Sequence, residues 1–337
     1  MPMITGHMLA RTLYAATSLG VMDLLDDVPR CHEAMAAATG TDASSLQRLL
    51  RALCAAGLAA ESAEGRFLGT DLSAPLRRNA QPSLRNLVLM FGAERCWRSW
   101  ENLPDSLRTG RPASHALYAM TGFEYFQRHP AVARIFHDAM AEATEHVAAA
   151  LATVVDLSRW ASMADIGGGN GLLLSRLLVA APAARGLLFD LPEALAGASE
   201  RLHEAGVTSR CDVLAGDFFE SIPAGLHVYL MKSVLHDWDD AQCVDILRNL
   251  RVAMSTGGVS FIIERLRPYR VECSADHRQT AMMDMNMMVT TGGRERSRAE
   301  FVALFEQAGL ELDGAPLLLP QTAHYAVLRV RPTDGRG

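Results

Sequence analysis

The chain has 337 residues, 49% hydrophobic and 21% charged, which leaves room for two domains and a sizeable core. A net charge of −6 and a pI near 6.0 argue against a dominant nucleic-acid surface. The six cysteines are scattered, with neither a Cys-x-x-Cys pair nor a His spacing suited to zinc, so they read as reduced thiols and no metal is expected. No basic start leads into an apolar stretch, and no apolar run approaches the ~20 residues of a membrane span, so a cytoplasmic protein is expected.

Ile4, Met8, Leu9, Leu13, Ala16 and Leu19 recur at helical spacing, and Gly20 stops this first helix. It carries more apolar surface than a lone surface helix hides, which points to a homodimer interface. Val21–Leu25 begins another helix, closed by Pro29. His32–Thr39 and Ser44–Ala56 read as two short helices, with Asp42 and Ser44 as N-caps and Gly57 as the stop. Leu58–Ser62 and Arg66–Gly69 flank Ala63-Glu64-Gly65 and read as a hairpin. Together these form a winged-helix pattern. Its second helix holds Arg48 and Arg51, but the wing holds Glu61 and Glu64 and no cluster of cations accompanies them. Tracking a phosphate backbone needs several cations, so a dimerisation and pocket-lid role is expected over DNA binding.

Residues 82–150 read as mostly helical. Leu84, Leu87, Val88 and Phe91 recur at helical spacing, as do Leu103 and Leu107, before a break at Gly110-Arg111-Pro112. Tyr118, Phe123, Tyr125, Phe126 and Phe136 follow and read mainly as core. Phe136 and Met140 share one helical face and are candidates to line a pocket.

From Ala161 strands alternate with helices, the rhythm of a parallel sheet covered on both faces. Met163–Ile166 ends the first strand, and Gly167-Gly168-Gly169-Asn170-Gly171 turns the chain into a helix opening at Leu172. Arg185–Asp190 is the second strand, with Pro192 starting its helix; Cys211–Gly216 is the third and His227–Lys232 the fourth. A helix spans Asp239–Met254, and Val259–Glu264 is the fifth strand. Ser297–Ala308 is a helix with a Ser297/Glu300 capping box, and the last strands lie near Leu310–Leu319 and Ala323–Val330.

In open α/β sheets ligands bind beyond the carboxyl ends of the strands. Glycines at 167, 169 and 171 fit G-x-G-x-G, but Leu172 stands where a dinucleotide fingerprint wants its third glycine. The spacing favours an adenosyl ligand without a pyrophosphate over NAD. Asp190, about 20 residues beyond the glycines, stands where a carboxylate meets a ribose diol, or else caps the turn before Leu191-Pro192. Asp217 and Phe218, after Gly216, can meet an adenine amine and ring, or serve as a cap and a core residue. His236, just past the fourth strand, reads as structural when taken alone but beside the ligand site is a natural general base, and Glu264 and Glu295 can flank it from other loops. In the methionine-rich stretch 276–288, Met283 and Met287 share a face suited to a flat aromatic ring or, equally, to ordinary helix packing, with Asp284 and Asn286 as candidate acceptor contacts.

The motif Asp165–Gly171, Asp190, Gly216-Asp217-Phe218, Lys232–Trp238, Glu264 and Gly292–Phe301 resembles the small-molecule O-methyltransferases of the caffeate and hydroxyindole type, with their bacterial antibiotic-tailoring relatives. The resemblance spans nearly the whole chain. It implies an α/β, Rossmann-like methyltransferase domain with a mostly parallel seven-stranded sheet at 159–337. Ahead of it come a winged-helix dimerisation domain at 1–80 and a helical linker and lid region at 81–158. It implies S-adenosylmethionine (SAM) as cofactor, held by Asp165, Gly167, Gly169, Asp190, Leu191, Gly216, Asp217, Phe218 and Lys232. It also implies His236 as base, bracketed by Glu264 and Glu295, in an intertwined homodimer. Asp237 joins Phe136, Met140, Met283, Asp284 and Met287 as a contact for a small aromatic acceptor, with no nucleic acid or membrane as partner. Three rivals stay open: the same fold reused for decarboxylation, hydroxylation or ring closure, a ligand-sensing winged-helix regulator, and an NAD dehydrogenase.

Overall fold

The structure, a computed structural model, describes residues 3–120, 122–254, 257–322 and 324–333. The Phe123 side chain and Ala323, expected in the core and in the last strand, lie outside the described residues, as do the outermost residues of the first and last expected domains. The chain divides into two compact units, Met1–Arg98 with Pro130–Ala143, and Ser99–His129 with Thr144–Gly337.

In the first unit, α1 (Gly6–Ser18), α2 (His32–Thr39) and α3 (Ala43–Ala55) precede an antiparallel hairpin of β1 (Ala59–Glu61) and β2 (Phe67–Gly69). Asp42 caps α3 by accepting from Ser45 N at 2.8 Å, whereas Ser44 lies inside the helix. Val21–Leu24 is a single 3-10 turn, not the expected helix, because Val21, Met22 and Leu25 all turn into the core at 0% exposure. With Leu46, Leu50, Leu53 and Phe67 they make the core of this unit. Helix α4 (Arg85–Gly92) follows. Met8 and Leu9 stay about half exposed on α1.

Helices α5 (Glu94–Glu101), α6 (Leu103–Thr109), α7 (Ala113–Tyr118), α8 (Gly122–Arg128) and the 25-residue α9 (Pro130–Val154) lead to the sheet. Strands β3 (Ser162–Ile166), β4 (Arg185–Asp190), β5 (Cys211–Ala215), β6 (Val228–Lys232) and β7 (Val259–Arg265) are parallel. Strands β8 (Leu310–Leu312), β9 (Leu317–Leu318) and β10 (Tyr325–Pro332) are antiparallel additions. The order is β5-β4-β3-β6-β7-β10-β8, with β9 paired to β10, so the expected stretch Leu310–Leu319 is two short strands. Alternate strand residues serve opposite faces. Met163, Leu188, Leu230 and Ile263 pack with the end of α9, α10 (Leu172–Ala180) and α11 (Ala198–Glu204). Ile166, Phe189, Met231 and Ile262 pack with α12 (Asp240–Ala253) and α14 (Arg298–Gln307). Helix α13 (Ala275–Thr290) precedes α14.

Helix α11 begins at Ala198, not at Pro192. The Leu191–Ala196 stretch makes isolated turns, Ala194 N to Leu191 O at 3.0 Å among them, and Gly197 at φ 78 separates them from the helix. Both capping boxes of this unit, Asp239/Gln242 and Ser297/Glu300, are closed. The chain crosses from one side of β3 to the other between β5 and β6, which makes the end of β3 the switch point where such sheets open a ligand crevice.

Candidate active site

The turn after β3 holds Gly167, Gly169 and Gly171 at φ 69, 57 and 77, a left-handed backbone that glycine adopts without strain. Gly167 N donates to Phe189 O at 2.9 Å. Asp190 ties the turn to β4: Oδ2 accepts from Gly169 N at 2.8 Å and Oδ1 from Leu191 N at 2.7 Å. Burial pushes the Asp190 carboxyl up, against these two N–H groups. A Cβ on Gly167 would lie 2.8 Å from Val234 Cγ2, while one on Gly169 would enter open space.

Beneath the turn Asp165 is 1% exposed and its Oδ2 has no partner. Burial, reinforced by the Asp190 charge, moves its carboxyl from 3.8 to about 7. A Cβ on Gly168 would stand 2.7 Å from the Asp165 carboxyl carbon, so this glycine lets the turn lie flat on the acid.

Gly216 serves packing: its Cβ would meet Phe189 Cε2 at 2.5 Å. Asp217 Oδ1 accepts from Phe219 N at 2.8 Å and closes the turn after β5. Phe218 lies beside the glycine turn, 3.7 Å from a Cβ on Gly167, and meets Trp238 edge-on at 6.1 Å. Lys232 Nζ donates to Thr144 Oγ1 at 3.0 Å and stands 5.8 Å from the centre of the Tyr325 ring, itself stacked by Arg265 at 4.8 Å.

His236 sits on the 3-10 turn Leu235–Asp237 after β6, its side chain 14% exposed. Nδ1 lies 3.3 Å from Glu295 Oε1 and 3.8 Å from Glu264 Oε2; Nε2 lies 4.0 Å from Asp237 Oδ2. In the neutral imidazole, two carboxylates on the Nδ1 side favour a proton there and leave the lone pair on Nε2, the tautomer a proton acceptor needs. Burial opposes charging the imidazole, but Glu264, Asp237 and Glu295 together outweigh it and hold His236 well above its ordinary 6.5. Burial in turn raises Glu264 and Asp237. Glu264 is fully buried at the end of β7; its Oε1 accepts from Val234 N at 3.0 Å and Leu235 N at 2.8 Å, and Oε2 faces His236 Nδ1 at 3.8 Å without a hydrogen bond. Among the described residues His236, Glu264 and Glu295 form the one His, Cys, Asp and Glu group with metal-like spacing.

The structure thus unites His236, Glu264, Glu295 and Asp237, and separately Asp165, Gly167, Gly169 and Asp190. Asp284, expected at the acceptor, accepts from Glu295 N at 2.8 Å and holds the second acid. Asn286, also expected there, accepts from Trp100 Nε1 at 3.1 Å. Met283 and Met287 lie half-buried one turn apart on α13. Phe136 and Met140 lie one turn apart on the part of α9 that belongs to the first unit. Sequence reasoning gave no role to Arg296, which is fully buried and bonded around His236, nor to Thr144, the partner of Lys232. Arg296 was visible only as part of the Gly293-Arg294-Glu295-Arg296 motif.

Residues 100–311 match the model of the O-methyltransferase domain, and residues 1–78 that of the O-methyltransferase dimerisation domain. The chain is 38% identical to phenazine O-methyltransferase of Lysobacter antibioticus, over 98% of this chain and 94% of that one. It is 33% identical to 8-amino-8-demethylriboflavin N,N-dimethyltransferase of Streptomyces davaonensis, over 97% and 92%. Among solved structures, an O-methyltransferase from neocarzinostatin biosynthesis, in complex with SAM and 2-hydroxy-5-methyl naphthoic acid, superposes with a TM-score of 0.79 at 30% identity, covering 96% of each chain. Two family matches that between them reach from residue 1 to residue 311, and a relative aligned over almost the entire length, assign the chain to the O-methyltransferase family.

Proposed function

We propose that this methyltransferase transfers a methyl group from SAM to a phenolic hydroxyl of a small aromatic natural product, with His236 as general base. The observation that carries the reading is the placement of two buried acids against Nδ1 of His236, which leaves Nε2 to take a proton.

The residues at the end of β3 fit the cofactor. The space above Gly169 is open, each Asp190 oxygen keeps a second lone pair, and Asp165 offers an unpartnered oxygen beneath the turn. Gly167 and Gly169 would approach the methionine part and Asp190 the ribose; Asp217 and Phe218 would face the adenine. Asp165, Leu191, Gly216 and Lys232 would complete the site. SAM, when bound, supplies a methyl group already activated by its sulfonium. His236 removes the hydroxyl proton at Nε2, and Glu264 and Glu295 balance the imidazolium that results. Asp237, Met283, Asp284, Met287, Phe136 and Met140 are the candidates for acceptor contacts. The match of residues 1–78 to the dimerisation domain supports a homodimer.

The Streptomyces davaonensis relative favours a second reading, methylation of an aromatic amine. Mass spectrometry of products from paired phenol and aniline acceptors separates the two. In the first reading the phenol gains one methyl, and His236→Gln lowers kcat by about 10²-fold or more while SAM affinity holds. Wild-type turnover of a phenol by His236→Gln would remove the base.

A further inference from the structure

The acid and the base sit on different segments, Glu295 on the loop between α13 and α14 and His236 on the turn after β6. One buried guanidinium joins them. Arg296 is 0% exposed. Its Nη1 donates to Leu235 O at 2.7 Å and its Nη2 to Trp238 O at 2.8 Å, the carbonyls on either side of His236-Asp237. Nε and Nη2 both donate to Asp240 Oδ1, at 2.9 and 2.8 Å, at the start of α12. Arg294 N donates to His236 O at 2.9 Å. Arg294 Nη2 holds the other Asp240 oxygen at 3.1 Å. The two segments touch so closely that a Cβ on Gly293 would stand 1.9 Å from His236 O.

We propose that Arg296 is the positioning residue of the base: it clamps the His236 turn to the Glu295 loop and so fixes the imidazole against its acid. A planar fork with five donors spans two carbonyls and a carboxylate at once, whereas an ammonium donates from a single point and cannot reach all three. The bonds made by Arg296 go to backbone carbonyls and Asp240, so its effect on the reaction passes through His236. A small misplacement of a catalytic group costs on the order of 10²-fold in rate.

The inference rests on His236 being the base, and a double-mutant cycle on the full-length enzyme keeps the two apart. Arg296→Lys should lower kcat by about 10- to 100-fold, with SAM affinity, measured by calorimetry, within about twofold of wild type. Adding Arg296→Lys to His236→Gln should cost little beyond His236→Gln alone, and the Arg296→Lys loss should shrink for acceptors with more acidic hydroxyls. Asp240→Asn, which weakens the outer end of the clamp at a half-exposed side chain, should show the same pattern more weakly and serves if Arg296→Lys does not fold. Should His236→Gln turn over normally, the base reading fails and the clamp with it. Should His236→Gln be impaired while Arg296→Lys and Asp240→Asn match wild type, or while the two losses multiply, the clamp alone is overturned.

Discussion

Asp165 lies under the glycine turn with its carboxyl moved from 3.8 to about 7 by burial and by the Asp190 charge. The folded protein therefore binds a proton that the unfolded chain releases, and stability falls as pH rises across that interval. The loss is about 1.4 kcal/mol per pH unit and reaches at most about 4 kcal/mol above pH 7. Asp165→Asn keeps the size and one acceptor oxygen but removes the ionisation. The ligand-free variant should have a higher urea midpoint than wild type at pH 8, with the gap narrowing steadily towards pH 4. Urea unfolding at fixed protein concentration, at each of four pH values, measures the gap. A variant less stable than wild type at pH 8, or a gap that does not change with pH, would refute the reasoning. The charge has a use in the proposed reaction: SAM is a cation, and the same variant should bind it more weakly.

Asp190→Ala should weaken SAM binding by about 1.5–3 kcal/mol, a charge-assisted bond's worth; unchanged affinity by calorimetry would remove Asp190 from the site. As the proposed base, His236 must be neutral to act, and its carboxylates raise it, so kcat should fall with acid along a limb lying above pH 6.5; a limb at or below 6.5 contradicts the cluster of Asp237, Glu264 and Glu295, which Arg265 faces through Glu295 at 3.8 Å. Light scattering should give twice the chain mass of 36.6 kDa, and a fully active monomer at micromolar concentration would exclude the dimer.

Local signals were the most readable from sequence. The glycines of the β3 turn, the Asp42 cap and the Ser297/Glu300 box depend on neighbours a few residues away, and each stands where the pattern puts it. Pro192 misled because proline marks a helix start only if the next residues continue it, and Gly197 resets the chain first. Val21–Leu25 misled because tertiary burial of three side chains favours a tight 3-10 turn over a full helix. In the site, His236, Glu264 and Glu295 were legible because they stand at strand ends or inside a dense motif. The roles of Asp284 and Arg296 were not, since a charged residue on a helix or loop reads as surface until packing shows which backbone atoms it serves.

The two acids flanking His236 differ in attachment, and an engineer who treats them as equivalent will misread the result. Glu264 spends one oxygen on two backbone N–H groups of the very turn that carries the histidine. Any replacement there disturbs the scaffold and the chemistry together, and a lost activity cannot be assigned to either. Glu295 is held from behind, through its own backbone N–H on Asp284, and its carboxylate faces the imidazole at 3.3 Å and Arg265 Nε at 3.8 Å. In the proposed reaction Glu295 is the first acid to vary in adapting this fold to acceptors of different acidity, because its carboxylate bonds the imidazole and not the backbone of the turn that carries it.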